Sequence, residues 1–413
     1  MKKTLITTTA LIALTTPAFA EKVKIKPLID TRLRYEHVEQ TAAVPLQDAD
    51  AVTVRIRAGA EASTKIFSVL VEAEGTLAIS ENYNSFLNGK GTYAAVPDPQ
   101  NIELNRAQIQ LKSIPKTLIT IGRQRINLDD QRFVGSVGWR DNEQTFDAAR
   151  IEWSGIKNVK ADLTYAISDR TIWGVNGGNR FGPARLTAID GDNFFVNLSY
   201  KHKYGTLTGF AYLVDQDEAA VSNFQLSSQT FGARFAGAAP LNKKAKLTYA
   251  ASYGRQSAYH RNPNRYSADY ILGELGVEAK GFKLLGGYEL LGASSGAALT
   301  SFQSPLATLH KFNGWADKFL TTPANGLQDV YGTVGYTKMK VGKFDSIAFT
   351  ATYHDFKSDR LSIHYGDEID VQIAAKMKKY TFLLKYAGFN AKAVGAGLPT
   401  TTKKFWASLE WAF

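Results

Sequence analysis

The chain has 413 residues, no cysteine, a formal net charge of +11, 34 glycines and 12% aromatic residues. After the first 20 residues no apolar run approaches the ~20 residues of a membrane-spanning helix, which excludes a helical membrane protein. A basic balance alone would admit nucleic acid as a partner, but the amino-terminal segment argues for export and against nucleic acid.

That segment reads Met1-Lys2-Lys3, then an apolar stretch from Thr4 to Thr16, then Pro17-Ala18-Phe19-Ala20-Glu21. Two charges, a short apolar core and Ala-x-Ala make a secretory signal peptide over 1–20, with cleavage after Ala20. The stretch is too short for an anchor, since a span takes about 20 residues. Disulfides are open to an exported chain, yet this one has no cysteine.

From residue 21 to 413 one unit recurs: about ten residues with apolar and polar side chains alternating, so that one face meets lipid and the other a wet lumen. Val52-Thr53-Val54-Arg55-Ile56-Arg57-Ala58 is a clear case. Such segments centre on 28–38, 51–62, 66–79, 101–113, 117–127, 144–154, 158–168, 192–203 and 206–215. They continue at 228–238, 244–255, 269–280, 282–291, 328–339, 345–356, 367–377, 380–390 and 403–413. The expected fold is all-β: a transmembrane antiparallel up-and-down β-barrel of about 18 strands, with 16 as the alternative.

Connections alternate between short ones, such as Tyr204-Gly205 and Lys280-Gly281, and long ones: 80–100, 128–143, 169–191, 256–268 and 292–327. Barrels of bacterial outer membranes have short periplasmic turns and long outer loops, so both termini are expected in the periplasm of a Gram-negative cell. The first strand starts soon after the cleavage site, leaving no room for a plug domain. In the last strand Phe405, Ala407, Leu409, Trp411 and the terminal Phe413 share a face. This resembles the signal by which the barrel-assembly machinery recognises outer-membrane barrels.

The polar face is rich in arginine: Arg32, Arg34, Arg55, Arg57, Arg106, Arg123, Arg125, Arg150 and Arg234. A guanidinium on the lipid face near the midplane costs roughly 2–4 kcal/mol, so these are expected to line the lumen and attract anions. Asp30, Glu36, Glu61, Glu152 and Glu410 fall on the same wall, and the competing reading pairs each arginine with an acid. One strand conflicts with itself: Ile119 and Ile121 share parity with Arg123 and Arg125. Either the isoleucines point inward near one end, or a bulge near Gly122 switches faces; inward arginines are the favoured outcome.

The histidines are scattered without metal-ligand spacing. Asn127-Leu128-Asp129-Asp130 could hold a calcium ion, though a solvated turn accounts for it better. No phosphate-cradling glycine motif or nucleophile elbow is present. No catalytic residue, metal or cofactor is expected.

A more specific pattern runs Leu104-Asn105-Arg106-Ala107-Gln108, Gly122-Arg123-Gln124-Arg125, Asp130-Gln131-Arg132-Phe133-Val134-Gly135, Trp139-Arg140 and Gln144-Thr145-Phe146-Asp147-Ala148-Ala149-Arg150. It resembles the alginate-export porin family. A second stretch, Phe312-Asn313-Gly314-Trp315-Ala316-Asp317-Lys318-Phe319-Leu320, also resembles that family and lies in the longest loop, where a lid or gate would sit. The resemblance implies a monomeric 18-stranded barrel whose arginine-rich lumen passes an anionic polyuronate. On that reading Arg106, Arg123, Arg125 and Arg150 belong to the conduit, while Asp130, Arg132, Arg140 and Asp147 tie loop to wall.

The expectation is therefore a passive channel in outer-membrane lipid for anionic saccharides or other small anions. The alternatives are a nutrient-uptake porin for neutral or aromatic solutes and, third, a barrel-embedded lipid hydrolase.

Overall fold

A computed structural model describes residues 22–42, 44–178, 185–393, 395 and 397–413. The expected signal peptide lies outside the described residues. The strands in chain order are β1 (Lys24–Gln40), β2 (Ala49–Ser63), β3 (Phe67–Asn82), β4 (Asn101–Leu111), β5 (Thr117–Gln124) and β6 (Thr145–Trp153). There follow β7 (Val159–Arg170), β8 (Ala188–His202), β9 (Gly205–Val214), β10 (Ser228–Asn242), β11 (Ala245–Ala258) and β12 (Ser267–Ala279). The last six are β13 (Phe282–Leu291), β14 (Leu327–Val341), β15 (Phe344–Lys357), β16 (His364–Met377), β17 (Tyr380–Ala391) and β18 (Thr402–Ala412).

Each strand pairs antiparallel with its chain neighbours, and β1 pairs with both β2 and β18. The 18-stranded sheet thus closes on itself, which removes every edge and satisfies every ladder group within the sheet. The start of β1 and the end of β18 both sit at the short-turn end. Lys24 lies opposite Ser63 beside the β2–β3 turn, and Trp411 lies opposite Tyr380 beside the β16–β17 turn.

Alternation decides which side chain faces which way. On β2, Arg55 is 3% exposed while Ile56 is 48% exposed. The apolar outer face is bounded by two bands of rings, as in membrane barrels. Phe67, Tyr200, Phe282, Tyr336 and Phe382 lie towards the short turns, and Tyr165, Tyr253 and Tyr353 towards the long loops.

The lumen is packed. The segments 125–144 and 292–326 fold back inside the barrel. Ile126, Leu128, Val134 and Leu306 form one buried cluster with Phe146, Phe195, Phe210 and Tyr212 of the wall. Phe302, Ala316 and Phe319 form a second with Tyr270, Phe356, Phe389 and Trp406. Phe133 touches both clusters, with its ring 5.2 Å from Phe210 and 5.7 Å from Phe302. At the long-loop end, Tyr83, Ala94 and Val96 cover Val38, Ala49 and Ala51.

β5 is shorter than the expected 117–127, and two irregularities flank it. On β4 the register steps from Glu72↔Arg106 to Ala73↔Leu104, leaving Asn105 as an extra residue. Gly122 has φ +112°, and a Cβ there would lie 2.3 Å from the Ala107 carbonyl oxygen. Only glycine accepts that backbone without strain. Past Gln124 the chain leaves the wall and turns into the lumen.

Candidate functional site: a charge-laced lumen narrowed by two loops

On β1 the inward residues are Arg32, Arg34 and Glu36, all buried. Arg32 donates to Asp141 from Nε and Nη2 at 3.1 and 2.7 Å and to Glu410 at 3.3 Å. Arg34 donates to Asp98 and to the Trp139 carbonyl, both at 2.6 Å. Arg140, arriving on the first inward loop, reaches Glu36, Asp98 and Asp317 at 3.3, 3.2 and 3.0 Å. Burial pushes the Asp141 carboxyl up, but Arg34 and Arg32 outweigh it and hold the group well below the usual carboxylate range.

The next wall section continues the pattern. Arg55 pairs with Asp30, and Arg57 with Glu74 and Glu143. Arg106 grips Glu72 at 2.8 and 2.7 Å, and Arg125 pairs with Glu143 and Glu72. Arg150 grips Asp162 at 2.8 and 2.6 Å, with Glu152 at 3.6 Å. Across the lumen Arg234 meets Asp130 at 2.9 Å.

So Arg32, Arg34, Arg55, Arg57, Arg106, Arg125, Arg150 and Arg234 all face the lumen, and each has an acidic partner. Of the acids assigned to the wall, Asp30, Glu36, Glu152 and Glu410 form such pairs, while Glu61 is half-buried near the short-turn end of β2.

Arg123 departs from the expected arrangement. It lies opposite Asp147, and its neighbours of the same parity are Ile121 on β5 and Ala149 and Ile151 on β6, all exposed on the outer face. The inward side at this level is held by Gln124 and Phe146, both buried. Arg123 therefore faces outward and belongs to no lumen wall. The lipid-face cost is offset locally. Arg123 makes two bonds to Asp147, 2.8 and 2.9 Å, and a third to the Leu104 carbonyl at 3.0 Å, beside the β4 bulge. Asp147 accordingly does not tie loop to wall, and the parity conflict resolves with both Ile121 and Arg123 outside and Arg125 inside.

The loop residues do tie to the wall. Arg132 grips Glu289 of β13 at 2.7 and 3.2 Å and Asn313 of the second loop at 2.9 Å. The Asn313 amide also donates to Glu289 and Asp329, and the amides of Trp315 and Ala316 donate to Asp370 and Glu368. Asp129 accepts bonds from Asn197 and Tyr212, so the Asn127–Asp130 turn serves packing.

His310, Lys385, Lys404 and Trp406, which carry no local sequence signal, complete the assembly around Trp139, Trp315 and Asp317 of the family-like stretches. Trp139 stacks on His310, with centroids 4.4 Å apart. Lys385 of β17 lies 4.2 Å from the Trp139 ring, 3.7 Å from Trp315 and 5.4 Å from Trp406. Asp317 meets Arg140, His310 and Lys404. Burial, Lys385 and Arg140 keep His310 well below its ordinary value, against the pull of Asp317. Arg170, paired with Glu103 at 3.0 Å, is a further lumen arginine outside the sequence reading.

Open spaces remain beside these contacts, two of them against the lumen wall and the long loops. A cavity of 690 Å³ at the long-loop end is lined by Tyr83, Asn88, Gln100 and Asn176, among others. Another of 340 Å³ lies between the second loop and the wall, against Arg234, Glu274, Trp315, Tyr331, His354 and Asp370.

These features define a closed 18-stranded antiparallel β-barrel with an apolar outer face, its lumen narrowed by loops folded in from one end. The alginate export family profile matches residues 29–169 of the chain, in agreement with the resemblance seen in the sequence. Similar solved structures include OccAB3 of Acinetobacter baumannii, 13% identical, covering 94% of this chain and 99% of that one with a TM-score of 0.69. OccK9 (OpdG) of Pseudomonas aeruginosa is 11% identical, covers 94% and 98%, and has a TM-score of 0.69. OpdK of Pseudomonas aeruginosa, crystallised with vanillate, is 10% identical, covers 94% and 98%, and has a TM-score of 0.66. At such identities the likeness is one of fold. Comparison with curated proteins gives no match.

Proposed function

We propose that this chain is a passive outer-membrane channel for carboxylate-bearing solutes, acidic saccharides among them. The observation that carries this is the set of lumen guanidiniums already engaged with carboxylates. Arg106 and Arg150 hold theirs in two-point grips, and the side chain of Arg125 keeps 29% of its surface open. A solute carboxylate would meet donors in the right geometry and exchange with protein carboxylates, so binding stays weak and multi-site, as passage requires. The name of the matched family, alginate export, and the vanillate in one similar structure both support a carboxylate cargo.

On this reading the short turns and both termini face the periplasm, β18 carries the assembly signal, the barrel works as a monomer, and no catalytic step is involved. The test is the reversal potential in a salt gradient across a planar bilayer. Anion preference that drops in Arg106→Ala and Arg125→Ala is the expected result, and cation preference would overturn the proposal. The second reading, neutral or aromatic solutes, draws on the acidic partner beside every lumen arginine. It expects no preference in that measurement and equal liposome swelling with sugars and their acids.

A further inference from the structure

The buried lumen carboxylates are mostly answered by a guanidinium. Glu72, Asp98, Asp141, Asp162 and Glu289 each have an arginine nitrogen at 2.6 or 2.7 Å. The wall from β12 to β16 departs from this rule at two carboxylates.

Glu274 of β12 points inward between the outward Gly273 and Leu275, and its partner is a neutral donor, the Tyr331 hydroxyl at 2.8 Å. Asp370 of β16 is fully buried. Its Oδ2 accepts from the Trp315 amide at 3.1 Å, and its Oδ1 has no partner. His354 does not supply one. Its Nδ1 is engaged by Asp329 at 2.9 Å, and its Nε2 stays 3.7 Å from Asp370, beyond hydrogen-bond reach. Glu368 accepts the Ala316 amide at 2.7 Å and likewise leaves one oxygen, Oε2, unpartnered. Even with one proton shared between Asp370 and Glu368, a full negative charge remains there.

Glu274 and Asp370 both line the 340 Å³ cavity between the second loop and the wall. The same cavity is lined by Arg234 of β10 and Lys311 of the second loop. Arg234 has the Asp130 carboxylate at 2.9 Å, but Lys311 donates to the Asp130 main-chain carbonyl at 2.6 Å, so no carboxylate answers its charge. The space is thus bordered by an unanswered ammonium on one part of its wall and by unanswered carboxylates on another. The rings of Trp315 and Tyr331 share the lining.

This arrangement suits one class of occupant. Among the described residues no three acidic or histidine side chains converge as ligands for a metal ion. A plain anion gains at Lys311 and Arg234 but is repelled by Asp370 and Glu274, and a plain cation meets the reverse. A solute with both charges gains at both, and its ammonium brings the donors that Asp370 Oδ1 lacks. At ~30 Å³ per water-sized group the cavity takes about eleven non-hydrogen atoms, which fits an amino acid and is too small for a disaccharide.

We infer that this cavity is a subsite for a small zwitterion, a solute of amino-acid size whose carboxylate meets Lys311 and Arg234 and whose ammonium meets Asp370 and Glu274. The inference deepens the channel reading above and rests on it for access to the site. It adds a selection among carboxylate solutes that the lumen arginines alone do not make.

The experiment compares block of single-channel current by ε-aminocaproate, ε-hydroxycaproate and hexanolamine, which share a chain length and differ in their charged ends. Half-block by ε-aminocaproate is expected at about tenfold lower concentration than by either control, the effect of one further charge-assisted hydrogen bond. Glu274→Gln keeps an acceptor for Tyr331, and Asp370→Asn keeps one for the Trp315 amide. Each should cut the advantage over the hydroxy acid to about threefold, and the two together should abolish it.

Equal block by all three solutes overturns the inference, as does an advantage that survives the double variant. Block by hexanolamine as strong as by ε-aminocaproate also overturns it, because the site would then take any cation. Should Asp370→Asn raise open-channel noise by loosening the second loop, Glu274→Gln decides alone, since the bond of Glu274 to Tyr331 lies within the wall. Cation preference in the reversal potential with the zwitterion advantage intact would sink the channel reading and leave the subsite standing.

Discussion

The ammonium of Lys385 on β17 donates to Nε2 of His310 over 2.7 Å, while His310 Nδ1 lies 2.8 Å from Asp317. This chain of contacts fixes the imidazole as the Nδ1–H tautomer, donating to Asp317 and accepting from Lys385. It also joins both inward loops to the wall, since Trp139 comes from one loop, His310 and Trp315 from the other, and Lys385 and Trp406 from the barrel.

Lys385→Met should loosen that junction without unfolding the barrel. Desolvated cation–π contacts are worth about 2 kcal/mol, and several meet here. The expected result is a larger and noisier single-channel conductance, together with trypsin cleavage after the exposed Lys311. Unchanged conductance and trypsin resistance would show that the loops are held elsewhere.

The same junction should weaken in acid. A released loop would return His310 to its ordinary value of about 6.5, whereas burial keeps the docked imidazole well below that. Above pH 6.5 neither form binds the proton and this group has no effect. As pH falls from 7 to 5 the released loop takes up a proton that the docked loop resists, which disfavours docking increasingly as the solution becomes more acid. Asp317 is held well below its usual range, chiefly by His310 and Lys404 against the effect of burial, so it stays charged across that interval. Open-channel noise should therefore rise between pH 7 and 5 in the native chain, and the rise should shrink in His310→Asn.

Arg132 is the second clasp. Arg132→Ala leaves Glu289 and Asn313 buried without their donor, a loss of roughly 3–5 kcal/mol. Conductance should rise at least as much as in Lys385→Met. Arg132→Met combined with Glu289→Gln should recover much of the native value, because no buried charge is then orphaned. Equal conductance in the single and double variants would argue against charge burial as the cause.

The Arg123–Asp147 pair is tested through lipid rather than current. With Arg123 outside the barrel, Arg123→Ala should leave anion selectivity unchanged. It should lower the urea midpoint of the vesicle-inserted protein, because Asp147 is left facing apolar surroundings without its partner. Adding Asp147→Ala should restore most of the midpoint. A selectivity change in Arg123→Ala would return that residue to the lumen.

The eighteen strands were legible because lipid imposes one rule on every segment: outward residues apolar, neighbours polar, with nothing else to satisfy. That rule read β2 correctly residue by residue. It failed at Arg123, which keeps the outward parity of Ile121 across Gly122 and has its charge met there by Asp147 and by the Leu104 carbonyl beside the extra residue Asn105. The charge partners were hidden for another reason. Arg34 and Asp98 are 64 residues apart and Arg140 and Asp317 are 177 apart, and they meet only because loops fold inward. Phe302 and Phe319 lie in stretches without period, and Lys385 looks in sequence like any strand lysine. Its three tryptophans come from three separate segments.

The inward loops separate two dimensions that a plain pore would share. Strand number sets the circumference of the wall, but the width available to a solute is set by what Phe133, Trp139, Asn313 and Trp315 leave unfilled. Substitutions within the two inward loops would recut the passage for a new cargo while every strand, turn and register stays as it is.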